Sequence, residues 1–316
     1  MKQEMQSDRE TALPPAKEKY EAKQSPERDK QQCDAKLDRF VCFCDEDPTR
    51  QLMGVLRFKS QSSHFIKPYQ DGRFQPYARV HWFKDWGSEM KFKIESQRRE
   101  PWMPLYRITL YADDRVGLLP EQLFAVLEVI PRFKLSVIEI AFDFSPWISR
   151  TLLSQRVLFG KSRPAPPIET TLYWGSQKGS KGARLYHKEE IDKYRVELVL
   201  HAKFLRSYRI RDIFDFQKFC EILPVRHIYY ARFDEPKLIT LLRSMEMSYG
   251  EIWTILKDIA LLEGDVWPTL YYLRLEVGLK NARRLLVPLK TNRLIREALK
   301  EWAAMWPTAP TRITAA

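Results

Sequence analysis

The stretch 169-ETTLYWGSQKGSKGARLYHKEEIDKYRVELVLHAKF-204 decides the fold class of this chain. Its apolar and polar residues alternate in short runs, separated by a glycine-containing loop and by a turn, which predicts three short strands. Successive side chains of a strand point to opposite faces, so the polar side chains of the last two strands share a face. That face carries Arg184, Tyr186, Lys188, Arg195 and Glu197.

An upstream segment, 137-VIEIAFDF-144, has the same alternation. Glu139 and Asp143 fall on one side of this predicted strand, while its isoleucine and phenylalanine side chains fall on the other. Three carboxylates, one tyrosine and several basic residues therefore lie on the polar faces of separate strands. We interpret this group as a candidate catalytic site.

The organisation of the chain follows from its composition. Residues 1–39 carry nine Lys/Arg and nine Asp/Glu and few apolar residues, which predicts a disordered charged tail. The sequence pattern predicts an α+β domain on a mainly antiparallel sheet over residues 40–205, and a helical, basic domain over residues 206–316. No apolar run of about 18 residues and no apolar leader occur. We therefore expect a cytoplasmic protein without a membrane partner.

The net charge of +12 indicates a polyanionic partner, although ordinary solubility charge is the alternative. Because the charges of residues 1–39 cancel, the whole excess lies in residues 40–316. Basic side chains of the glycine loop, of the strand after it and of the C-terminal helices are candidate DNA contacts, against the alternative of solvated surfaces. These candidates are Lys178, Lys181, Arg184, Arg283, Arg284, Arg293 and Arg296.

The carboxylates could hold Mg²⁺ or Mn²⁺, since both ions prefer oxygen ligands. Glu139 and Asp143 are roughly 13 Å apart along an extended strand, so both cannot bind one ion unless the strand bends. Glu197 on a neighbouring strand could complete a site with either residue. Solvated carboxylates, or an ion pair of Glu197 with Arg195 or Lys188, are the alternative.

Tyr186 is a candidate nucleophile, because a phenolate can attack phosphorus and hold it as a phosphotyrosine. Its free pKa near 10 requires a cation, a base or a metal nearby. Arg184 and Lys188 lie about 7 Å away on the same face. The alternative is a tyrosine that packs across strands. The five histidines are scattered, which disfavours a two-histidine metal centre.

In these residues the chain resembles the Rep_trans-type replication initiation factors of plasmids and phages, which are rolling-circle initiators, and related relaxases. The family pattern is an acidic strand resembling D-x-x-x-D, a glycine-containing loop, R-x-Y-x-K and then R-x-E. Here the pattern reads Glu139…Asp143, Gly175-Ser176, Arg184-x-Tyr186-x-Lys188 and Arg195-x-Glu197. The sequence departs from the family in having Glu139 where aspartate is usual, without the arginine that often precedes it.

The resemblance implies a metal-dependent endonuclease that nicks one strand of origin DNA and starts rolling-circle replication. Tyr186 would attack the scissile phosphodiester, forming a 5′-phosphotyrosine and a free 3′-hydroxyl. Glu139, Asp143 and Glu197 would hold the metal. Lys188 would stabilise the phosphate, and Arg195 would orient Glu197 or contact DNA. The expected partners are double-stranded origin DNA and its extruded single strand, with a host helicase and a homodimer as further candidates.

Three alternatives stay open at the level of sequence. A conjugative relaxase uses the same chemistry. A non-catalytic DNA-binding regulator would keep the fold and the charge without the reaction. An RNA-binding protein that uses its aromatic strands would bind single-stranded RNA more tightly than DNA.

Overall fold

The structure is a computed structural model, and it describes most of the chain from Cys33 onwards. The described residues are 33–50, 52, 58–85, 90–112, 117, 123, 130, 133–160, 164–165, 167–175, 179–211, 215, 227–263 and 265–305. Lys178 and most of the stretch 120–131, along with residues 1–32 of the predicted charged tail, lie outside this set.

Among the described residues, nine strands form one large sheet in the order β10-β11-β12-β8-β1-β7-β6-β5-β2. Every neighbouring pair in this sheet is antiparallel. The predicted α+β fold with a mainly antiparallel sheet is thus confirmed. The strands are β1 (Cys33–Cys44), β2 (Phe58–Phe65), β5 (Tyr77–Asp85), β6 (Lys91–Arg98), β7 (Tyr106–Tyr111), β8 (Lys134–Phe144), β10 (Leu172–Gly175), β11 (Lys181–Lys188) and β12 (Lys193–His201).

Smaller elements complete the described fold. Strands β3 (Tyr69–Gln70) and β4 (Arg73–Phe74) form a two-stranded hairpin, and β9 (Val157–Leu158), β13 (Tyr229–Phe233) and β14 (Leu286–Pro288) form a three-stranded sheet. The α-helices are α1 (Arg150–Gln155), α2 (Ala202–Ser207), α3 (Glu235–Ser244), α4 (Tyr249–Leu261), α5 (Val266–Leu275) and α6 (Thr291–Ala304). Within the described residues, no helix has the length and apolar character that a membrane span requires.

One face of the large sheet forms the main hydrophobic core. The alternating apolar residues of β8, such as Ile138, Ile140 and Phe142, are buried on this face. Helix α6 packs against β1 and adds Leu299 and Trp302 to the same core. Because side chains alternate along each strand, the polar residues predicted to share a face lie together on the opposite side, which we call the polar face.

The register of the strands decides which polar residues meet. Paired residues on adjacent strands point to the same side of the sheet. Tyr186 pairs with Arg195, and Arg195 pairs in turn with Asp143. Two residues further along the same strands, and on the same face, Arg184 pairs with Glu197.

Strand β1 has a register shift against β8 between Leu37 and Arg39. Such a bulge adds one residue to a strand and re-aims the neighbouring side chains. Here it lets the consecutive residues Asp38 and Arg39 both contact partners on the polar face, Arg195 and Glu139 respectively.

The predicted domain boundaries differ from the elements observed. Strand β1 begins at Cys33, six residues before the predicted end of the charged tail, because its first residues pair with β8. A second hydrophobic cluster includes Leu242, Ile255 and Leu273 of the predicted helical region together with Leu158 of β9. Helix α6 contributes Leu299 and Trp302 to the main core.

Candidate active site

Three carboxylates from three strands converge on the polar face. In the described part of the chain, one oxygen from each of Asp38, Glu139 and Glu197 lies within 4.8 Å of the other two. Glu139 and Glu197 are buried, and Asp38 is half-buried. We call these three residues the acidic group. Oxygen donors of this kind match the preference of Mg²⁺ and Mn²⁺, so the group fits the predicted metal.

Tyr186 contacts the acidic group directly, because its Oη donates a hydrogen bond to Oε1 of Glu197. The phenol is half-buried. Burial raises the pKa of Tyr186 well above its ordinary value, and the charge of Glu197 and the hydrogen bond to it raise the pKa further. Tyr186 is therefore protonated at neutral pH, and any attack by its oxygen requires that the proton leave.

Arg184 contacts two residues of the acidic group, although the sequence analysis predicted it as a DNA contact. Its Nε donates a hydrogen bond to Oε2 of Glu197, and its Nη2 lies 3.6 Å from Oε2 of Glu139. Its guanidinium carbon is 5.8 Å from the ring centroid of Tyr186. About a third of the Arg184 side chain is exposed (36%), so the cation also faces solvent next to the phenol.

Asp143 is held in a separate buried ion pair, in contrast to its predicted role as a metal ligand. Nε and Nη2 of Arg195 donate to its two carboxylate oxygens at 2.6 and 3.0 Å, and Nζ of Lys36 lies 2.5 Å away. Asp143 does not belong to the acidic group found among the described residues. A buried carboxylate needs such cationic partners to offset its lost hydration, and Asp38 takes the place in the group that we had predicted for Asp143.

Arg195 is a fully buried cation that connects the ion pair to the acidic group. Besides Asp143, it donates from Nη1 to Oδ1 of Asp38 at 3.0 Å. None of the Arg195 surface is exposed (0%), which argues against the predicted direct contact with DNA. The geometry favours a positioning role that fixes Asp38.

The charges of the site are balanced. Arg39 donates from Nη2 to Oε1 of Glu139. Burial raises the pKa of Glu139, while the charges of Arg39 and Arg184 act in the opposite direction. Among the described residues of this region, four carboxylates face four cations: Asp38, Glu139, Asp143 and Glu197 face Lys36, Arg39, Arg184 and Arg195.

A cavity of about 180 Å³ opens beside the acidic group. Glu139 and Arg184 form its charged side, and Gly175 and Gly182 contribute surface without side chains. Gly175 has φ +74°, and a Cβ there would lie 3.0 Å from the backbone oxygen of Lys181. Glycine is thus required by both backbone conformation and space. The cavity offers room for part of a substrate next to Glu139 and Arg184.

The two predicted lysines that the structure describes in this region lie on different faces. Lys188 follows Tyr186 on the polar face, and its Nζ lies 3.6 Å from Glu190. Lys181 lies on the core face, where its Nζ approaches the rings of Phe159 and Phe204 at 5.4 and 5.9 Å. Burial lowers the pKa of Lys181. This position favours packing over the predicted DNA contact.

The four predicted C-terminal arginines are exposed but lie outside the acidic group. Arg283 donates to the backbone oxygen of Gly160, and Arg293 forms an exposed pair with Glu297 on α6. The buried side of α6 packs into the core face of the sheet. The exposed side of α6 therefore faces away from Tyr186, and a DNA contact there would be separate from the site.

Lys36, Asp38 and Arg39 are site residues that the sequence interpretation missed. All three fall within the residues that we assigned to the charged tail. The signal was present in 33-CDAKLDRFVCFC-44, where Cys33, Ala35 and Leu37 alternate with polar residues as in a half-buried strand. The charge-rich residues before it obscured this alternation.

Comparisons with known proteins leave the family unassigned. No protein-family model matches the chain, and no curated protein matches it. A solved structure of the rolling circle replication initiator protein from Geobacillus stearothermophilus is similar over 63% of this chain and 87% of that chain. The two are 13% identical with a TM-score of 0.36, and this likeness supports no assignment of function. The function must therefore be argued from the site itself.

Proposed function

We propose that this chain is a metal-dependent DNA nicking-joining enzyme with Tyr186 as its nucleophile. One observation carries the proposal: the phenol oxygen of Tyr186 is hydrogen-bonded to Glu197, and Glu197 belongs to a group of three convergent carboxylates. A half-buried phenol needs a hydrogen-bond partner in any case, so what favours a catalytic role is that this partner belongs to a group of convergent carboxylates. The excess of positive charge agrees with a polyanionic substrate.

The reaction is a transesterification at a DNA phosphodiester. The Oη of Tyr186 attacks phosphorus, its proton passes to Glu197, and a new Oη–P bond forms. The bond between phosphorus and the 3′-oxygen breaks, and that oxygen takes up a proton from solvent. The products are a 5′-phosphotyrosine and a free 3′-hydroxyl, and the reverse reaction joins the strand again.

The neighbouring cations have distinct roles in this proposal. Arg184 lies beside the phenol and faces solvent, so it can stabilise the charge that develops on the phosphorane. Lys188 is on the same face and can bind the phosphate as well. Arg195 and Lys36 are positioning residues, because they hold Asp143 and, through Arg195, Asp38.

Asp38, Glu139 and Glu197 would hold Mg²⁺ or Mn²⁺ in this proposal. The ion would supply a positive charge that polarises a phosphate oxygen and favours ionisation of nearby groups. Asp38 replaces Asp143 in the ligand set expected from the sequence. The donor chemistry of the group supports a divalent ion without selecting between the two metals.

The biological role that we propose is initiation of rolling-circle replication by nicking at an origin. This step rests on the motif resemblance, from Arg184-x-Tyr186-x-Lys188 to Arg195-x-Glu197. Origin DNA, as a duplex and as an extruded strand, would be the partner. A conjugative relaxase would use the same site. A host helicase and a homodimer stay predictions from the sequence.

The test uses supercoiled plasmid that carries the gene of this chain with its flanking DNA, incubated with Mn²⁺ or Mg²⁺. We expect open-circular product and a protein–DNA adduct that survives denaturing detergent. Tyr186→Phe should form neither, and Tyr272→Phe is the matched control, since this phenol also donates to a carboxylate, that of Asp258, but lies on α5 outside the site. An adduct that persists in Tyr186→Phe would contradict the assignment of the nucleophile.

A DNA-binding regulator without catalysis is the second candidate. The observation in its favour is the charge balance of the site, in which Arg39 and Arg184 already neutralise Glu139. Under this alternative, wild type and Tyr186→Phe would bind the plasmid equally and neither would nick it. That result would replace the enzymatic proposal.

A further inference from the structure

The polar face continues beyond the acidic group into a second region of different chemistry. Glu139 pairs with Arg39 across β8 and β1, and Arg39 pairs with Tyr111 on β7. Tyr111 pairs with Lys91 on β6. Since paired residues share a face, this row runs without a break from the acidic group across the sheet. We call the polar face of β5, β6 and β7 the aromatic half.

Two stacked rings dominate the aromatic half. Trp82 on β5 and Tyr111 on β7 have ring centroids 5.7 Å apart and ring planes 25° apart. Nζ of Lys93 lies 5.6 Å from the ring centroid of Trp82. Both rings are partly exposed, and neither belongs to the two hydrophobic clusters formed by the described residues. Core packing therefore does not account for this aromatic pair.

A cavity of about 440 Å³ adjoins the stacked pair. Trp82 and Lys93 form part of its lining, together with Phe65 and Tyr69. Phe65 is 72% exposed and Tyr69 is 66% exposed, so two large rings face solvent at its edge. Exposed aromatic side chains grouped around a cavity mark a binding surface more often than a solvated one.

Cations accompany these rings. Lys67 lines the same cavity and is exposed, and Lys91 is exposed in the row that leads from the acidic group. Glu95 is the acidic residue of the cavity lining, and its buried Oε2 is near both Lys93 at 3.5 Å and Arg107 at 3.4 Å. The surface thus combines aromatic rings with positive charge.

We infer that the aromatic half binds the unpaired DNA strand that continues from the scissile phosphate at Tyr186. Bases would stack on the Trp82–Tyr111 pair and against the rings of the cavity, while Lys91 and Lys93 would contact phosphates. Stacking on aromatic side chains beside a cationic groove is how proteins bind single strands without reading their sequence. This inference rests on the proposed function, because the strand is identified by its link to the nicking site.

The dimensions agree with one continuous strand. Tyr186 and Trp82 lie on strands six positions apart in the sheet order. At about 4.8 Å between neighbouring strands, the separation across the sheet is about 29 Å. A strand that keeps a rise of about 3.4 Å per nucleotide spans this with about nine nucleotides. An oligonucleotide of 20 nucleotides therefore covers both regions.

The experiment measures binding of a fluorescein-labelled 20-nucleotide single strand of mixed sequence by anisotropy. All proteins carry Tyr186→Phe, so that cleavage does not interfere. We expect Trp82→Ala to weaken binding about 5- to 150-fold, the range for loss of one stacked base. Trp82→Phe should retain most of the affinity, because it keeps an aromatic ring. Lys91→Gln should lower the slope of log K against log salt by about 0.7.

Trp253→Ala is the matched control, since this tryptophan is 63% exposed on α4 and outside the cavity. It should leave binding unchanged. The duplex of the same sequence and an RNA strand of the same sequence complete the comparison. Unchanged binding by both Trp82→Ala and Lys91→Gln would overturn the inference. So would equal losses on the duplex, or tighter binding of the RNA strand.

The two proposals fail in different ways. If wild type forms the covalent adduct but Trp82→Ala binds the single strand normally, the aromatic half is not the strand site and the nicking proposal stands. If Trp82→Ala weakens binding but wild type forms no adduct, the surface binds single strands and the nicking proposal falls. Circular dichroism of each variant, with Trp82→Phe as the conservative change, separates lost binding from lost folding.

Discussion

The polar face of the sheet has two halves, an acidic half and an aromatic half, which differ in how far their side chains are buried and paired. We use acidic half for the polar face of β1, β8, β11 and β12. There Glu139, Asp143, Arg195 and Glu197 are buried, and each has a partner of opposite charge. The aromatic half instead leaves Lys91 exposed and Trp82 and Tyr111 partly exposed.

This difference suggests separate roles for the two halves, catalysis for one and binding of the strand for the other. Buried charges interact strongly because little water screens them, but each must be paired or it destabilises the fold. Exposed rings and lysines cost little to keep in water and gain energy only when a ligand covers them. Under the two proposals, catalysis would take place in the acidic half, and sequence-independent binding of the strand would take place in the aromatic half.

The largest expected difference between the halves is in stability. Arg195→Met removes a fully buried cation and leaves Asp143 and Asp38 with less compensation, which should cost about 3–5 kcal/mol. Lys91→Met in the aromatic half should change stability by no more than about 0.5 kcal/mol. Urea unfolding at pH 7 measures both. The double change Arg195→Met/Asp143→Leu should recover much of the loss, and equal effects of the two single changes would contradict the comparison.

Metal dependence should separate two aspartates of the acidic half. Asp38→Asn removes a proposed ligand and should raise the Mn²⁺ concentration for half-maximal nicking by at least about tenfold. Asp143→Asn alters the ion pair with Arg195, so it should lower the free energy of unfolding. It should shift the Mn²⁺ concentration for half-maximal nicking less than Asp38→Asn does. The measurement is a Mn²⁺ titration of nicking with each variant. A larger shift for Asp143→Asn than for Asp38→Asn would contradict the proposal and support Asp143 as the metal ligand, as the sequence predicted.

The raised pKa of Tyr186 predicts an effect of alkaline pH. The unfolded chain ionises this phenol at pH values near 10, while the folded chain keeps the proton to higher pH. Above pH 10 the unfolded state thus binds fewer protons, and stability falls as pH rises, by at most about 1.4 kcal/mol per pH unit for this group. Tyr186→Phe should lose less stability than wild type between pH 9.5 and 11 in urea unfolding. Parallel curves of stability against pH for the two proteins would contradict the raised pKa of Tyr186.

The sequence was informative where alternation was clear. The predicted strand 137-VIEIAFDF-144 lies within β8, and the polar residues of β11 and β12 share the face that alternation assigned to them. Alternation placed Tyr186 and Glu197 on the same polar face, and in the structure the phenol donates a hydrogen bond to Oε1 of Glu197. Period-two patterning fixes the face of each side chain regardless of what packs on it.

Alternation could not show which polar residues would be neighbours across strands. Asp143 looked as suitable as any carboxylate for a metal, but the pairing of β12 with β8 places it opposite Arg195. Asp38 joins the group because β1 has a bulge and lies between β8 and β7. Lys181 looked like a phosphate contact in a basic loop, but its position on the core face turns it toward Phe159 and Phe204.

By itself the sequence determined the α+β class, the polar and apolar faces of the strands, and the presence of a tyrosine among carboxylates and cations. These follow from local periodicity, which each segment carries alone. Strand order, register and the bulge at Asp38 depend on contacts between segments far apart in the chain. For that reason only the tertiary structure decided that Asp38, rather than Asp143, completes the acidic group, and that a row of paired residues leads from Glu139 through Arg39 to Tyr111.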